Sequence, residues 1–163
     1  MRPIPENVKT SIGKNLYLKD SHPIKLMIEK IVSSIELFET KLLYHDDPVV
    51  SFDENFTNVL IDKTHTSTGE SDTFYIDNST VLRTHMTAHQ VDIIKKISDE
   101  NLFGELILCA GDVYRRDSVD ATHYPVFHQL EGVCIFPPGM YNPRETDAVL
   151  KALLVHIVQN LFG

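Results

Sequence analysis

The chain has 163 residues, of which 42% are hydrophobic and 23% charged, and a formal net charge of −8. That length suggests one domain with a real core, and the acidic balance argues against a surface given over to nucleic acid, which needs clustered Lys and Arg. No apolar run is long enough to span a bilayer, and Cys109 and Cys134 read as buried, reduced thiols rather than a disulfide framework.

The opening MRPIPENVKTS lacks the apolar core of a secretory signal and is not a clear transit peptide. Residues 1–20 read as an irregular lead-in. A helix is predicted from Ser21, with Pro23 in a first-turn position that needs no N–H. Its buried face would be Ile24, Met27, Ile28, Ile31, Ile35, Phe38 and Leu42. Asp46-Asp47-Pro48 then breaks it. Val49-Val50-Ser51-Phe52 reads as a short strand, 54–60 as a short helix and 62–72 as a polar connecting loop. Strands are predicted at 73–76 and 81–84, around a turn at Asp77-Asn78. Thr87-Ala88-His89-Gln90 has the form of a capping box. It would open a helix to about Ser98 with Val91, Ile94 and Ile97 inward.

Residues 101–116 and 125–136 form the arms of an antiparallel pair around a polar loop, 118–124. Alternation puts Val126, His128, Leu130 and Cys134 on one face of the second arm, and Phe127, Gln129 and Glu131 on the other. A ring, an amide and a carboxylate side by side make a poor packing surface and a reasonable floor for a polar site. Pro137-Pro138-Gly139 and Asn142-Pro143 stop the sheet. Thr146 is expected to cap a last helix that buries Val149, Leu150, Leu153, Leu154, Ile157, Val158 and Leu161. The predicted class is α+β: an antiparallel sheet flanked by helices.

The chemistry is open at this level. His85 and His89 have a spacing that can bind zinc on a helix, yet no metalloprotease pattern surrounds them. A metal-dependent hydrolase using these two with His123 and His128 is the weakest reading, and structural or substrate-binding histidines are preferred. There is no phosphate-binding glycine loop and no nucleophile elbow. Arg115 and Arg116 beside Asp117, His123, Gln129 and Glu131 favour a site for a substrate of mixed charge.

The stretch GDVYRRDSVDATHYPVFHQLEG closely resembles the second signature motif of class II aminoacyl-tRNA synthetases, and more narrowly that of the phenylalanyl-tRNA synthetase family. Ser21-His22-Pro23-Ile24 resembles the opening of that family's first-motif helix, and Asp53-Glu54-Asn55-Phe56 the segment after it. Asp72-Thr73-Phe74-Tyr75 with 82–90 is similar to its amino-acid-binding segment. Within that family the resemblance is to the catalytic α chain and especially to the single-chain mitochondrial type.

The resemblance implies roles. Arg115 would bind the α-phosphate of ATP, where a planar permanent charge suits the developing transition state. Asp117 would lie near the adenine amino group, in a place where Glu is usual. His123 would approach the phosphates and Phe127 stack on adenine. Gln129 and Glu131 would hold the ammonium of phenylalanine, with His85 and Thr87 on the amino-acid side. Magnesium would accompany the ATP, and tRNA(Phe) would be the acyl acceptor. The resemblance further implies that 21–163 are part of a catalytic domain, with motifs one and two. The third motif, the side-chain pocket and the anticodon-binding domain would lie outside it, so the segment alone should be poorly active. It points to the mitochondrial matrix, with cytoplasm or another organelle open, and leaves the oligomeric state open. A synthetase-like paralogue that binds an amino acid or nucleotide without ligation is the alternative.

Overall fold

The computed structural model describes residues 2–163; Met1, the first residue of the expected lead-in, lies outside them. Strand β4 (Leu106–Tyr114) is the centre, and all nine of its residues are buried. Its near-continuous apolar sequence is what a strand covered on both faces requires. Strand β5 (Val126–Cys134) pairs antiparallel with it, from Leu106 opposite Cys134 to Tyr114 opposite Val126. Strand β1 (Thr40–Tyr44) pairs parallel on the other side, from Thr40 beside Leu106 to Tyr44 beside Ala110. The sheet order is β1-β4-β5.

Alternation along β4 divides the core. Ile107, Cys109 and Val113 face Ile93 and Ile97 of helix α4 (Gln90–Asp99), with Met86 and Phe127 against them. Leu106 and Leu108 face Leu153 of helix α5 (Pro143–Phe162) and Ile31 and Val32 of helix α2 (Pro23–Ser34). Each such Leu or Ile contributes about 1.5–3 kcal/mol by leaving water. Both thiols are free, and burial raises that of Cys109 to about 12.

A second, two-stranded sheet docks at the end of β4. Strands β2 (Val49–Ser51) and β3 (Thr80–Leu82) run antiparallel, and helix α3 (Phe52–Asn55) follows β2 at once. A reciprocal capping box between Ser51 and Glu54 starts that helix. The junction to the large sheet is backbone to backbone: Tyr114 N donates to Arg83 O at 2.9 Å, while Arg83 N continues the β2–β3 pairing by donating to Pro48 O at 2.9 Å. The Arg83 side chain completes it. Fully buried, it donates from Nε to Asp112 O (2.7 Å) and from the two Nη atoms to Asp47 O (3.1 Å) and His45 O (2.6 Å). It lies so close to β4 that a Cβ on Gly111 would collide with its Nη2 and Cζ.

The expected sheet-and-helix layers are present, and several elements differ in detail. The lead-in is partly ordered: a short helix, α1 (Glu6–Lys9), and a turn at Leu16–Leu18 bury Val8 and Tyr17. Helix α2 stops at Ser34, and Leu42 belongs to β1. Ile35, Phe38 and Leu42 still face one core, so pairing with β4 overrides a helical spacing. The strand expected at 73–76 shrinks to one bridge, Tyr75 opposite Val81, because the Asp77 carboxylate folds the chain back by accepting from the Ser79 and Thr80 amides. In α4, Ile93 and Ile97 are buried and Ile94 is 40% exposed. Asn142, not Thr146, caps α5, accepting from the Arg144 and Glu145 amides. Of its expected face, Leu153 is buried and Ile157 packs beside it, while Leu150, Leu154 and Val158 are exposed. Among the described residues no helix is long and apolar enough to cross a membrane.

Replacing Gly111 with Ala should therefore destabilise the fold by about 1–3 kcal/mol, the usual range for overpacking a closed site. Urea unfolding measures it. An alanine variant as stable as the parent would show that Arg83 can move aside freely.

Candidate active site

Arg115 directly follows β4. Its amide donates to Pro125 O at 2.9 Å, its Nε donates to Thr84 O at 2.9 Å, and its guanidinium lies 5.2 Å from the centre of the Phe127 ring. It borders a polar cleft of about 320 Å³ whose walls include Asp72, Thr73, Thr84, His85 and Asp117. Both ring nitrogens of His85 are buried without a hydrogen-bond partner. Burial first, and the Arg115 charge second, push its pKa below the ordinary value, against a weaker opposing pull from the Asn55 backbone. His85 is thus disposed to stay neutral beside the arginine.

Beyond His85 the chain makes a tight turn, Met86–His89, that lies on β5. Gln129 Oε1 accepts from the Met86 amide at 3.0 Å, and the Glu131 carboxylate accepts from Thr87 Oγ1 at 2.9 and 3.0 Å. Thr87 is consequently no helix cap. Its hydroxyl is spent across the fold on Glu131, and α4 begins at Gln90 with no side-chain cap. A carboxylate has about four acceptor positions, so Glu131 can take a cation while keeping this bond.

The structure thus brings together His85, Arg115 and Asp117 around the cleft, Phe127 beneath Arg115, and Thr87, Gln129 and Glu131 alongside. His123 is elsewhere: exposed on the 118–124 loop, its Nδ1 bonds Asp120 at 2.8 Å, and it is not part of the cleft wall. A four-residue turn, 120–123, organised by Asp120, which also accepts from the Thr122 and His123 amides, holds it there. Arg116 is a clamp. It donates to the carbonyls of Thr73, Arg2 and Pro3 and covers the Phe74 ring at 4.5 Å.

The remaining histidines have separate partners. His128 Nδ1 meets Asp112 at 2.5 Å on the opposite face of β5. His89 Nε2 lies 3.0 Å from Arg83 Nη1, and its ring stacks on His45 at 3.8 Å. Among the described residues, no three His, Cys, Asp or Glu side chains meet in a way that could hold a metal ion. Two interior residues had no role in the sequence reading beyond their place in a segment. Arg83 locks the sheets, and Asn55, fully buried, exchanges hydrogen bonds with Thr84.

The chain belongs to the class II aminoacyl-tRNA synthetases: the family described as tRNA synthetases class II core domain (F) matches residues 5–163. Its relatives include phenylalanine–tRNA ligases. It is 37% identical to the chloroplastic/mitochondrial phenylalanine–tRNA ligase of Arabidopsis thaliana, over 98% of this chain and 38% of that protein. It is 41% identical to the mitochondrial enzyme of Saccharomyces cerevisiae, over 82% of this chain and 30% of that one. The chain therefore spans well under half the length of these relatives. In fold it is similar to the pyrrolysyl-tRNA synthetase of Desulfitobacterium hafniense, with a TM-score of 0.64 at 17% identity, over 85% of this chain and 47% of that one.

The stacked imidazoles make stability depend on pH. Burial, then the charges of His45 and Arg83, lower the pKa of His89 to about 4, and burial and Arg83 lower that of His45. The unfolded chain binds protons at these positions from about pH 6.5 downward. Below that pH the unfolded state holds more protons, so stability, full above it, should fall progressively towards pH 4. Unfolding free energies between pH 7.5 and 4 measure this, and His89→Gln should flatten the profile. An unchanged slope in that variant would contradict the assignment.

Proposed function

We propose that this chain forms the ATP- and amino-acid-binding part of a phenylalanine–tRNA ligase. Residues 21–163 would carry the first two motifs of its catalytic domain. The third motif, the phenylalanine side-chain pocket and the anticodon-binding domain would come from sequence outside them. The reading rests on one juxtaposition: Arg115, whose terminal nitrogens make no hydrogen bond among the described residues, borders the polar cleft, and Glu131 lies on the floor of the same hairpin.

In the first step an oxygen of the phenylalanine carboxylate attacks the α-phosphorus of ATP. The bond to the bridging oxygen breaks, and pyrophosphate leaves with that electron pair. The attacking carboxylate is already ionised at neutral pH, so positioning and electrostatics supply the catalysis. Arg115 would bind the α-phosphate and oppose the charge gathering there. Glu131 and Gln129 would receive the ammonium, a charge-assisted contact, with Thr87 orienting Glu131 and neutral His85 lining the amino-acid side. Phe127 offers a ring face for adenine, and Asp117 a carboxylate for its amino group. Magnesium would enter with the ATP phosphates. His123 would reach the phosphates only if the 118–124 loop folds inward. In the second step the acyl group passes to the terminal ribose of tRNA(Phe), in the mitochondrial matrix by analogy with the organellar relatives.

Phenylalanine-dependent exchange of pyrophosphate into ATP, measured on the longest natural chain containing these residues, tests the proposal. Arg115→Ala should lower kcat by about 10²–10³-fold, the scale of losing one transition-state donor. Glu131→Gln should raise the KM for phenylalanine by about 10–100-fold, as expected for one charged hydrogen bond, with much less effect on ATP. ATP binding without any exchange would instead identify a binding-only paralogue.

A further inference from the structure

Asn55 is the last residue of α3 and is wholly buried. A buried amide is costly unless its donor and acceptor are both used. Here both are used on a single residue. Nδ2 donates to Thr84 Oγ1 at 2.9 Å, and Oδ1 accepts from Thr84 N at 3.0 Å. Two bonds to one residue, at its amide and its hydroxyl, restrain both its backbone and its side chain. Thr84 needs that restraint, because the β2–β3 pairing ends at Leu82, two residues earlier. The Asn55 side is itself fixed: the Ser51–Glu54 capping box anchors the start of α3.

The carbonyl of that restrained residue accepts Nε of Arg115 at 2.9 Å. The guanidinium also lies over the Phe127 ring, 5.2 Å from its centre. One hydrogen bond and one ring face together define its plane. We propose that Asn55 is a positioning residue for Arg115. By holding the amide and hydroxyl of Thr84, it fixes the backbone from which the Thr84 carbonyl projects, and so sets the angle at which the two terminal nitrogens of Arg115 are presented to the α-phosphate of ATP. This rests on the reading of Arg115 as the ATP-binding arginine. The Asn55 side chain touches no substrate and acts through Thr84.

A double-mutant cycle distinguishes positioning from general support of the fold. The probe is ATP, with its affinity measured by calorimetry and its KM and that of phenylalanine by pyrophosphate exchange, all on the longest natural chain. Asn55→Ala should weaken ATP binding by about 10-fold, the scale of one hydrogen bond to a charged group, and leave the KM for phenylalanine within about 2-fold. Arg115→Lys keeps a charge but has no Nε to give Thr84. In that background Asn55→Ala should change ATP affinity by less than about 2-fold. Thr84→Val removes one of the two Asn55 bonds and spares the carbonyl, and serves if the alanine variant does not fold. It should show a smaller loss with the same dependence on Arg115. Equal losses in the parent and in the Arg115→Lys background, or no loss in the parent, would overturn the proposal. ATP binding without phenylalanine-dependent exchange would sink the ligase reading while the cycle still judges Asn55. No ATP binding by the unsubstituted chain would remove both.

Discussion

The guanidinium of Arg83 lies inside the protein across β4 at Gly111, and it donates to the carbonyls of Asp112, Asp47 and His45. These acceptors come from the central strand and from the segment that leads into β2. Burying a charge is expensive, and removing its partners more so. Hydrogen bonds to a charged group contribute about 1.5–3 kcal/mol each, so the arrangement is stable only as a complete set. Two consequences follow locally. Position 111 has no room for a side chain, and His89, whose Nε2 faces the arginine, is favoured as a neutral acceptor.

The site depends on this junction because its halves come from different sheets. The β4–β5 hairpin carries Arg115, Phe127, Gln129 and Glu131, while the chain leaving β3 carries Thr84, His85 and Thr87. Arg83 is the residue just before that second group, and its carbonyl accepts the amide of Tyr114, just before Arg115. Fixing Arg83 therefore fixes the distance between the two polar groups. Finer contacts are then made across the gap: Thr84 to Arg115, Met86 to Gln129 and Thr87 to Glu131. None of these polar contacts supplies the bulk of the stability, which comes from the two apolar layers on either face of β4. They set geometry in a region that the core leaves polar.

The hairpin and the face holding Phe127, Gln129 and Glu131 were legible because a strand's period of two is strict. Elements ruled by distant contacts were not. The spacing that suggested one long helix from Ser21 to Leu42 persists in space, but its last members reach the core from β1, since β4 offers backbone partners that a helix would leave unused. Thr87 has the right neighbours for a cap, and its hydroxyl instead finds a carboxylate 44 residues away. Arg83 and Gly111 each left a trace: a charge in an apolar strand, and a glycine inside a buried one, which often marks close approach of another group. Linking the two requires the fold. Asn55 left no trace beyond its place in a family-like segment, because the burial of an amide cannot be read from its neighbours. The tilt of His123 away from the cleft depends on local turn chemistry at Asp120, which sequence spacing does not encode.

Arg83 holds the small sheet to the end of β4 and so aligns both halves of the candidate site. Amide hydrogen exchange in an Arg83→Met variant, which keeps length and loses the charge, tests it most directly. The expected result is loss of protection at Thr84 and Tyr114, whose amides bond Asn55 and Arg83, while Cys109 and Glu131, opposite each other in the β4–β5 pairing, stay protected. Unchanged protection at Thr84 and Tyr114 in the folded variant would contradict it.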